Sequence, residues 1–467
     1  MAGRFFKLQP QQFRMALLAM PLMLVFCRPQ AKDMGVVNFA HLNSLCESVT
    51  LGGKPAAIVH IYSDYPDYGW TDAAGEGTAC IDDAARAAVV YINACEADAG
   101  TGHEPLIRRL LNFVLFMQAQ DGEFYNFIDS DLKINSGGRT SRKSFLFWAA
   151  RGYWALGAGY RFYSDRDPEF AAGLRRAFRR CIAPLNRLLA DYQKYEEISG
   201  RRHPTWLVNR YAADATSELL LGMAEYLSVE SDTVMLEMAE KLAQGVIEMQ
   251  ISGHPVMEGA FESWPGSWHA WGNSQVQALA RLSFVVEDDR YLRAALRCGD
   301  SFLSRLIAQN LIHEYDFENE KAIVFPQIAY DIRTLSLGLL QLYHATGKED
   351  YAVLAGLAAS WLMGNNAAEE PVYNRETGRC FDGIDSSGMN LNAGAESTIE
   401  ALYTLVEIQK VPEALRWLNC RLLCGSEKKA GTDQKIFYCK NGRVTVSWHP
   451  DERKFQIKPV PEDDSSR

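Results

Sequence analysis

Apolar residues recur at i, i+3 and i+4 through most of this 467-residue chain, the period of helices that bury one face. Twelve long helices are predicted, at about 81–96, 105–119, 144–163, 168–193, 210–228, 232–250, 270–286, 289–308, 327–346, 349–364, 394–409 and 412–424. What constrains the fold is how they are joined. Within successive pairs the joints are short: SDRD around Ser164, SVES around Ser228, EDD around Glu287, GKED around Gly347 and KVP around Lys410. Between pairs they are long, as in DGEFYNFIDSDLKINSGGRTSR, SGHPVMEGAFESWPGSWH and GNNAAEEPVYNRETGRCFDGIDSSGMNLN. Short loops join antiparallel neighbours, and long loops without structure of their own usually carry function. Six hairpins joined in this way predict an all-α fold, an (α/α)6 toroid or barrel. The odd-numbered helices form its inner ring, where glycines and alanines such as those of FLFWAARGYWALGAGY allow close packing. The long loops then gather on one face, with the inner-helix N-termini. A non-closing helical solenoid is the alternative, and no repeat of fixed sequence favours it.

The barrel is read over 55–425. Before it, Arg4, Lys7 and Arg14 precede the apolar run MALLAMPLMLVFC, Met15 to Cys27. That run falls short of the roughly 20 apolar residues a membrane span needs. Residues 1–27 therefore read as an export signal. The LVFC ending makes Cys27 a candidate lipid attachment point, although Phe26 stands where a small residue is expected. The protein is expected in the periplasm or anchored as a lipoprotein. Residues 28–54 form an N-terminal extension, and GKPAAIVHIYSDYPDYGW has a β-like core. In 426–467, KIFYCKNGRVTVSWHPDERKFQIKPV alternates apolar and polar residues around NG, the pattern of a small β-hairpin tail, followed by a disordered PEDDSSR end.

A formal net charge of -10, with no basic stripe, argues against a nucleic-acid partner. Nine cysteines follow Cys27, none in a CxxC pair or with zinc spacing. Cys80, Cys95, Cys181, Cys298, Cys420 and Cys424 lie in helix-like stretches and read as buried small hydrophobes. No Gly-rich phosphate loop, Ser-His-Asp order or metal motif is present in the sequence. No cofactor or metal is expected.

The inner-helix starts are rich in chemistry. The first carries Glu76, Asp82, Asp83 and Arg86. The second follows Arg139, Arg142 and Ser144 and contains Trp148, Arg151 and Trp154. The third holds Asn209, Arg210, Tyr211, Asp214 and Glu218, and the fourth follows Trp264, Trp268, His269, Trp271, Asn273 and Gln275. The fifth carries Gln327, Tyr330, Asp331 and Arg333, and the sixth Asn392, Glu396, Ser397 and Thr398. Carboxylates, amides, arginines and aromatics at one mouth suit a polyhydroxylated substrate, an oligosaccharide or polysaccharide. Glycoside hydrolysis needs two carboxyl groups. In a six-hairpin ring the first and last inner helices are neighbours, which places Asp82 and Asp83 beside Glu396. Adjacent helical residues point about 100° apart. One aspartate is therefore expected to cap the helix while Asp83 faces the mouth, with Arg86 holding a carboxylate ionised. Asp214 or Asp331 is the substitute for either acid. Each of these residues also has a plain structural reading, as cap, ion-pair partner or core.

The six-hairpin pattern resembles the six-hairpin glycosidase-like superfamily. More narrowly, CIDDAARAA, DGEFYNF, WAARGYWALG and NAGAESTIEAL resemble a helical domain found alone or appended to some bacterial glycosyltransferases. There the first motif reads DDNAR, with Asn where this chain has Ala84. The resemblance implies site positions at Asp82, Asp83, Arg86, Asn126, Arg151 and Glu396. It bears on the fold more than on the activity.

The leading expectation is a glycoside hydrolase with Glu396 and Asp83 as its carboxyl pair, and with Arg86, Asn126, Trp148, Arg151, Tyr211, Trp268, His269, Trp271, Asn273, Tyr330 and Asn392 touching the glycan. The alternatives are a polysaccharide lyase or epimerase, drawing on Tyr211, Tyr330, His269, Arg210 and Arg333, and a non-catalytic glycan-binding barrel.

Overall fold

The computed structural model describes residues 35–98, 102–429, 432–439, 442–452 and 454–460. The export signal and Cys27 lie outside the described residues, as does the PEDDSSR end. The helices are α1 Ala40–Leu45, α2 Ile81–Ala97, α3 Glu104–Met117, α4 Phe147–Tyr163, α5 Pro168–Arg180, α6 Ile182–Leu189, α7 Ala213–Leu227 and α8 Thr233–Glu248. They continue with α9 Gln275–Leu282, α10 Asp289–Cys298, α11 Ser304–Ala308, α12 Ala329–Thr346, α13 Glu349–Ala359, α14 Ala395–Gln409 and α15 Pro412–Leu415.

Two burial patterns separate inner from outer helices. α7 buries every residue from Ala213 to Tyr226, as a helix walled on all sides must. α5 buries only the stripe Ala171, Leu174, Ala177 and Phe178. The inner helices contact one another in chain order: α2 packs on α4, α4 on α7, α7 on α9, α9 on α12, α12 on α14, and α14 on α2. Each also packs on the outer helix that follows it. Small residues set the closest of these approaches. A Cβ on Gly157 of α4 would stand 2.3 Å from the carbonyl oxygen of Gly222 in α7, and one on Gly222 would stand 2.7 Å from the Cα of Trp154.

Several predicted boundaries are corrected. The helix expected over 168–193 breaks at Cys181, because Pro184 has no N–H to give the Arg180 carbonyl. The helix over 289–308 is interrupted by a π-turn at Gly299–Leu303. α9 starts at Gln275 rather than near 270, since Gly272, at φ +71°, turns the chain just before it. α15 is four residues long, and from Arg421 the chain is strand. Cys420 is not a lone buried thiol but is disulfide-bonded to Cys439.

The predicted β segments are present. Cys46–Leu51 pairs with Lys54–Val59, and Tyr62–Asp64 with Gly69–Thr71. The tail is a four-stranded antiparallel sheet of Arg421–Lys429, Thr432–Cys439, Gly442–His449 and Lys454–Val460, paired in chain order. The N-terminal segment is tied to the start of α14: Ala393 N–H donates to the Ser63 carbonyl at 2.9 Å and Ala395 N–H to the Ile61 carbonyl at 2.8 Å. These bonds bring residues 61–65 to the inner-helix mouths.

Candidate active site

The first turn of α2 is capped by neither aspartate. Cys80 is the N-cap residue, and its Sγ accepts the Asp83 N–H. Both aspartate side chains are thereby free to meet Arg86. Asp83 Oδ1 accepts from Arg86 Nη2 at 2.7 Å, and Arg86 Nε lies 3.2 Å from Asp82 Oδ1. The expected division of labour, one cap and one site acid, is replaced by two acids on one guanidinium. This works because Arg86 sits at i+3 and i+4 from them, on the same helix face.

α14 completes the arrangement. Arg86 Nη1 donates to Glu400 at 2.6 Å, and both Nη atoms lie 3.3 Å from Glu396 Oε2. α4 adds Arg151, which donates to Asp82 and to the Tyr330 hydroxyl. Beneath them Arg333 of α12 donates to Glu400 at 2.7 Å, to Glu218 at 3.2 Å and to Ser274 at 2.8 Å. The Tyr330 ring lies 4.8 to 5.4 Å from the guanidinium carbons of Arg333, Arg151 and Arg86. Below this layer, the space among Val89, Trp154, Ile399 and Tyr403 is too small for a water molecule. The space among the inner helices is packed at this level.

Exposure separates the acids. The Glu396 side chain is 50% open, that of Asp82 22% and that of Asp83 5%. Their charge states differ too. Burial alone raises Asp82, but Arg151 and Arg86 overcome it and hold this carboxyl below its ordinary range. For Asp83 burial prevails over Arg86; with Asp82 and Glu396 also raising it, the carboxyl is pushed up to about 6. Two adjacent carboxyls with divergent pKa values are the usual sign of an acid and a base.

The remaining predicted residues fall into three groups. On the α7–α12 side, Asp214 lies 3.2 Å from His269 Nε2, and His269 stacks on Trp271 with centroids 3.6 Å apart. Asp331 takes His313 Nδ1 at 3.0 Å and the Ile328 N–H at 3.3 Å, so it also caps α12. A second group braces loops. Asn126 donates to Thr140, Asn273 to Phe261 and Ser263, and Asn392 accepts the Tyr65 N–H. The third group has other surroundings. Trp268 is 2% exposed and packs on Phe302, because alternate residues of the strand Ser267–His269 face opposite ways. Tyr211 donates to Glu196 of the Tyr195–Pro204 hairpin, outside the Arg86 cluster. Trp148 is half-buried and its Nε1 has no hydrogen-bond partner among the described residues.

Three participants were not named as site residues from the sequence. Glu400 had a signal, being one turn beyond Glu396 on the same helix face. His313 and Tyr62 had none, since loop pairing brings them in.

No family model matches the chain, and no curated protein sequence does. Solved structures do. A cellobiose 2-epimerase from Bacillus thermoamylovorans is 11% identical, covers 80% of this chain and 96% of its own, and superposes with a TM-score of 0.58. A cellobiose 2-epimerase from Spirochaeta thermophila is 15% identical over 82% of this chain and 94% of its own, with a TM-score of 0.55. A D-mannose isomerase is 12% identical over 75% of this chain and 91% of its own, with a TM-score of 0.50. These likenesses show the fold alone, a mainly helical one shared with the two epimerases and the isomerase. The narrower resemblance to the domain appended to glycosyltransferases finds no counterpart among them.

Proposed function

We propose that this six-hairpin chain, read as a closed (α/α)6 barrel, is a glycoside hydrolase acting on a neutral oligosaccharide or polysaccharide. One observation carries the reading: carboxyls from the first and last inner helices, Asp83 and Glu396, meet on one guanidinium, that of Arg86. Asp83, proton-holding up to about pH 6, is the general acid. Glu396, half-open and held by Arg86, is the base or nucleophile. Asp82, ionised between two arginines, positions Arg86 and Arg151. Asp83 Oδ1 and Glu396 Oε2 lie 2.7 Å and 3.3 Å from the same Arg86 Nη2, so these oxygens are at most 6.0 Å apart. That bound falls short of the roughly 6.5–9.5 Å of inverting pairs, which leaves the retaining geometry of roughly 5–5.5 Å. Retention of anomeric configuration is the expected outcome.

Arg86, Arg151 and Arg333 are each engaged by carboxylates within the barrel. Of the arginines named for a uronate, Arg333 is thus engaged, and Arg210 pairs with Glu196 at an exposed place outside the cluster, which disfavours the polysaccharide-lyase reading. Sugar epimerisation is the second reading. It is favoured by His269 with Asp214 and His313 with Asp331, two imidazoles each oriented by a carboxylate, and by the activity named for the two epimerases of like fold.

Incubation with a glycan panel in D2O, followed by mass spectrometry, separates the two. Cleavage with uptake of one water, lost in Glu396→Gln, supports the hydrolase. An uncleaved sugar carrying one new deuterium, lost in His269→Asn and retained in Glu396→Gln, replaces it with the epimerase.

A further inference from the structure

Aromatic rings stand at both ends of the ion-paired cluster. At one end is Tyr62, 46% exposed, with Tyr65, 55% exposed, beside it on the chain. The bonds from Ala393 and Ala395 to the Ser63 and Ile61 carbonyls set Tyr62 beside the start of α14, which carries Glu396; burial, with the charges of Asp83 and Glu396, raises its phenol. The Tyr65 N–H is held by Asn392 at 3.0 Å, and bonds to residues 393 and 395 fix the backbone on either side of Tyr62. At the other end, Phe147 lies 4.4 Å beneath the Arg151 guanidinium, and the Trp271 ring is 6.4 Å from Phe147. Between the two ends the contacts are continuous: Arg151 to Asp82, Asp82 to Arg86, and Arg86 to Glu396.

An aromatic face left in water forgoes about 25 cal/mol per Å² of burial: Tyr62 and Tyr65 are open on a braced backbone, and Trp271 and Phe147 are half-buried, with His269 and Arg151 each covering one face. Sugar rings carry apolar C–H faces that cover such platforms. Pre-positioning lowers the ordering cost of binding. We infer that the mouth is an extended cleft that binds a glycan of several units across the carboxyls, with one sugar face on Tyr62 and another on Trp271 and Phe147, so that the bond acted on is internal. The inference rests on the glycan reading of the mouth. It differs from a monosaccharide site, which needs a platform at one end only.

The test is calorimetric titration of the Glu396→Gln protein with β-1,4-gluco-, β-1,4-manno- and α-1,6-manno-oligosaccharides of two to six units. In the series that binds, affinity rises with length. Tyr62→Ala lowers affinity for the long members roughly tenfold and leaves the disaccharide unchanged, and Tyr62→Phe restores it. Trp271→Ala does the same from the other end, with a circular-dichroism spectrum showing that it folds. Binding that is independent of length, or indifferent to Tyr62, overturns the inference and leaves the glycan reading intact. Absence of binding in all three series overturns both.

Discussion

Arg86 is the residue on which the candidate site turns. Its guanidinium is 5% exposed and answers Asp82, Asp83, Glu396 and Glu400 at once. Removing one member of a buried charge cluster leaves the others unpaired, at a cost of about 3–5 kcal/mol. Arg86→Met should therefore lower the urea midpoint by a corresponding amount, whereas Arg109→Met, which removes an exposed bond to Ser48, should not. The two aspartates respond oppositely to pH. Asp83 holds its proton more tightly when folded, so its stabilising contribution is full below the ordinary aspartate value, near 3.9, and is lost as pH rises through about 6. Asp82 is depressed in the fold, so its contribution is present above that ordinary value and is lost as pH falls below it. Thermal unfolding of Asp83→Asn and Asp82→Asn from pH 3 to 7 checks this. Relative to the unsubstituted protein, the first variant should gain as pH rises and the second should lose. Parallel curves for all three proteins would contradict the assignment of charge states.

At the scale of elements, helix proximity is set by residues that have no side chain. α4 and α7 meet where Gly157 and Gly222 face each other. Gly222→Ala would push a methyl against the Trp154 backbone, which cannot give as a flexible side chain can. Overpacking of this kind costs about 1–3 kcal/mol, and Gly173→Ala on the outer helix α5, where nearby space is open, should cost nothing or stabilise. Chemical denaturation of the two variants compares them directly. This element-scale logic also explains what the sequence made legible. Periodicity and loop length revealed the hairpins, because outer helices such as α5 bury one stripe and leave a 3.6-residue trace, while the short joints mark the helices they pair with. They did not reveal the break at Cys181, the π-turn at Gly299 or the strand at Arg421, where a proline, a bulge and a cross-strand partner override periodicity. Asp82, Asp83, Arg86, Arg151 and Glu396, which the motifs single out, stand in one ion-paired cluster. The split of roles between the aspartates was not readable. It depends on Cys80 taking the cap, a role for which serine or aspartate is the common choice. Tyr62 was invisible for a different reason: only the strapping of residues 61–63 onto 393–395 places it by Glu396.

At the scale of the whole molecule, the tail sheet is fastened to the outer helices α11 and α13 and the residues that follow them. Asp433 accepts from Gln309, the Leu422 N–H donates to Asn365 at 3.1 Å, and Phe455 lies 6.0 Å from Tyr351. Phe437, Val444, Val446 and Trp448 of the sheet are buried. The Cys420–Cys439 bond closes a separation of 19 residues around the first two tail strands. A loop of that size limits the freedom of the unfolded chain by about 3 kcal/mol. Reductant, or Cys439→Ser, should lower the unfolding temperature accordingly. The bond lies at the seam between α15 and the sheet, not among the ion pairs of the inner helices, so glycan binding by the Glu396→Gln protein should survive its loss below the new transition. A disulfide of this kind persists in an oxidising compartment, which supports our proposal that the chain is exported. If reductant leaves the transition unmoved and peptide mass analysis finds both thiols free, the seam is held by packing alone and that support is withdrawn. If the transition falls and binding falls with it at the same temperature, the tail sheet is part of what shapes the mouth, and the separation of scaffold from site at this scale is wrong.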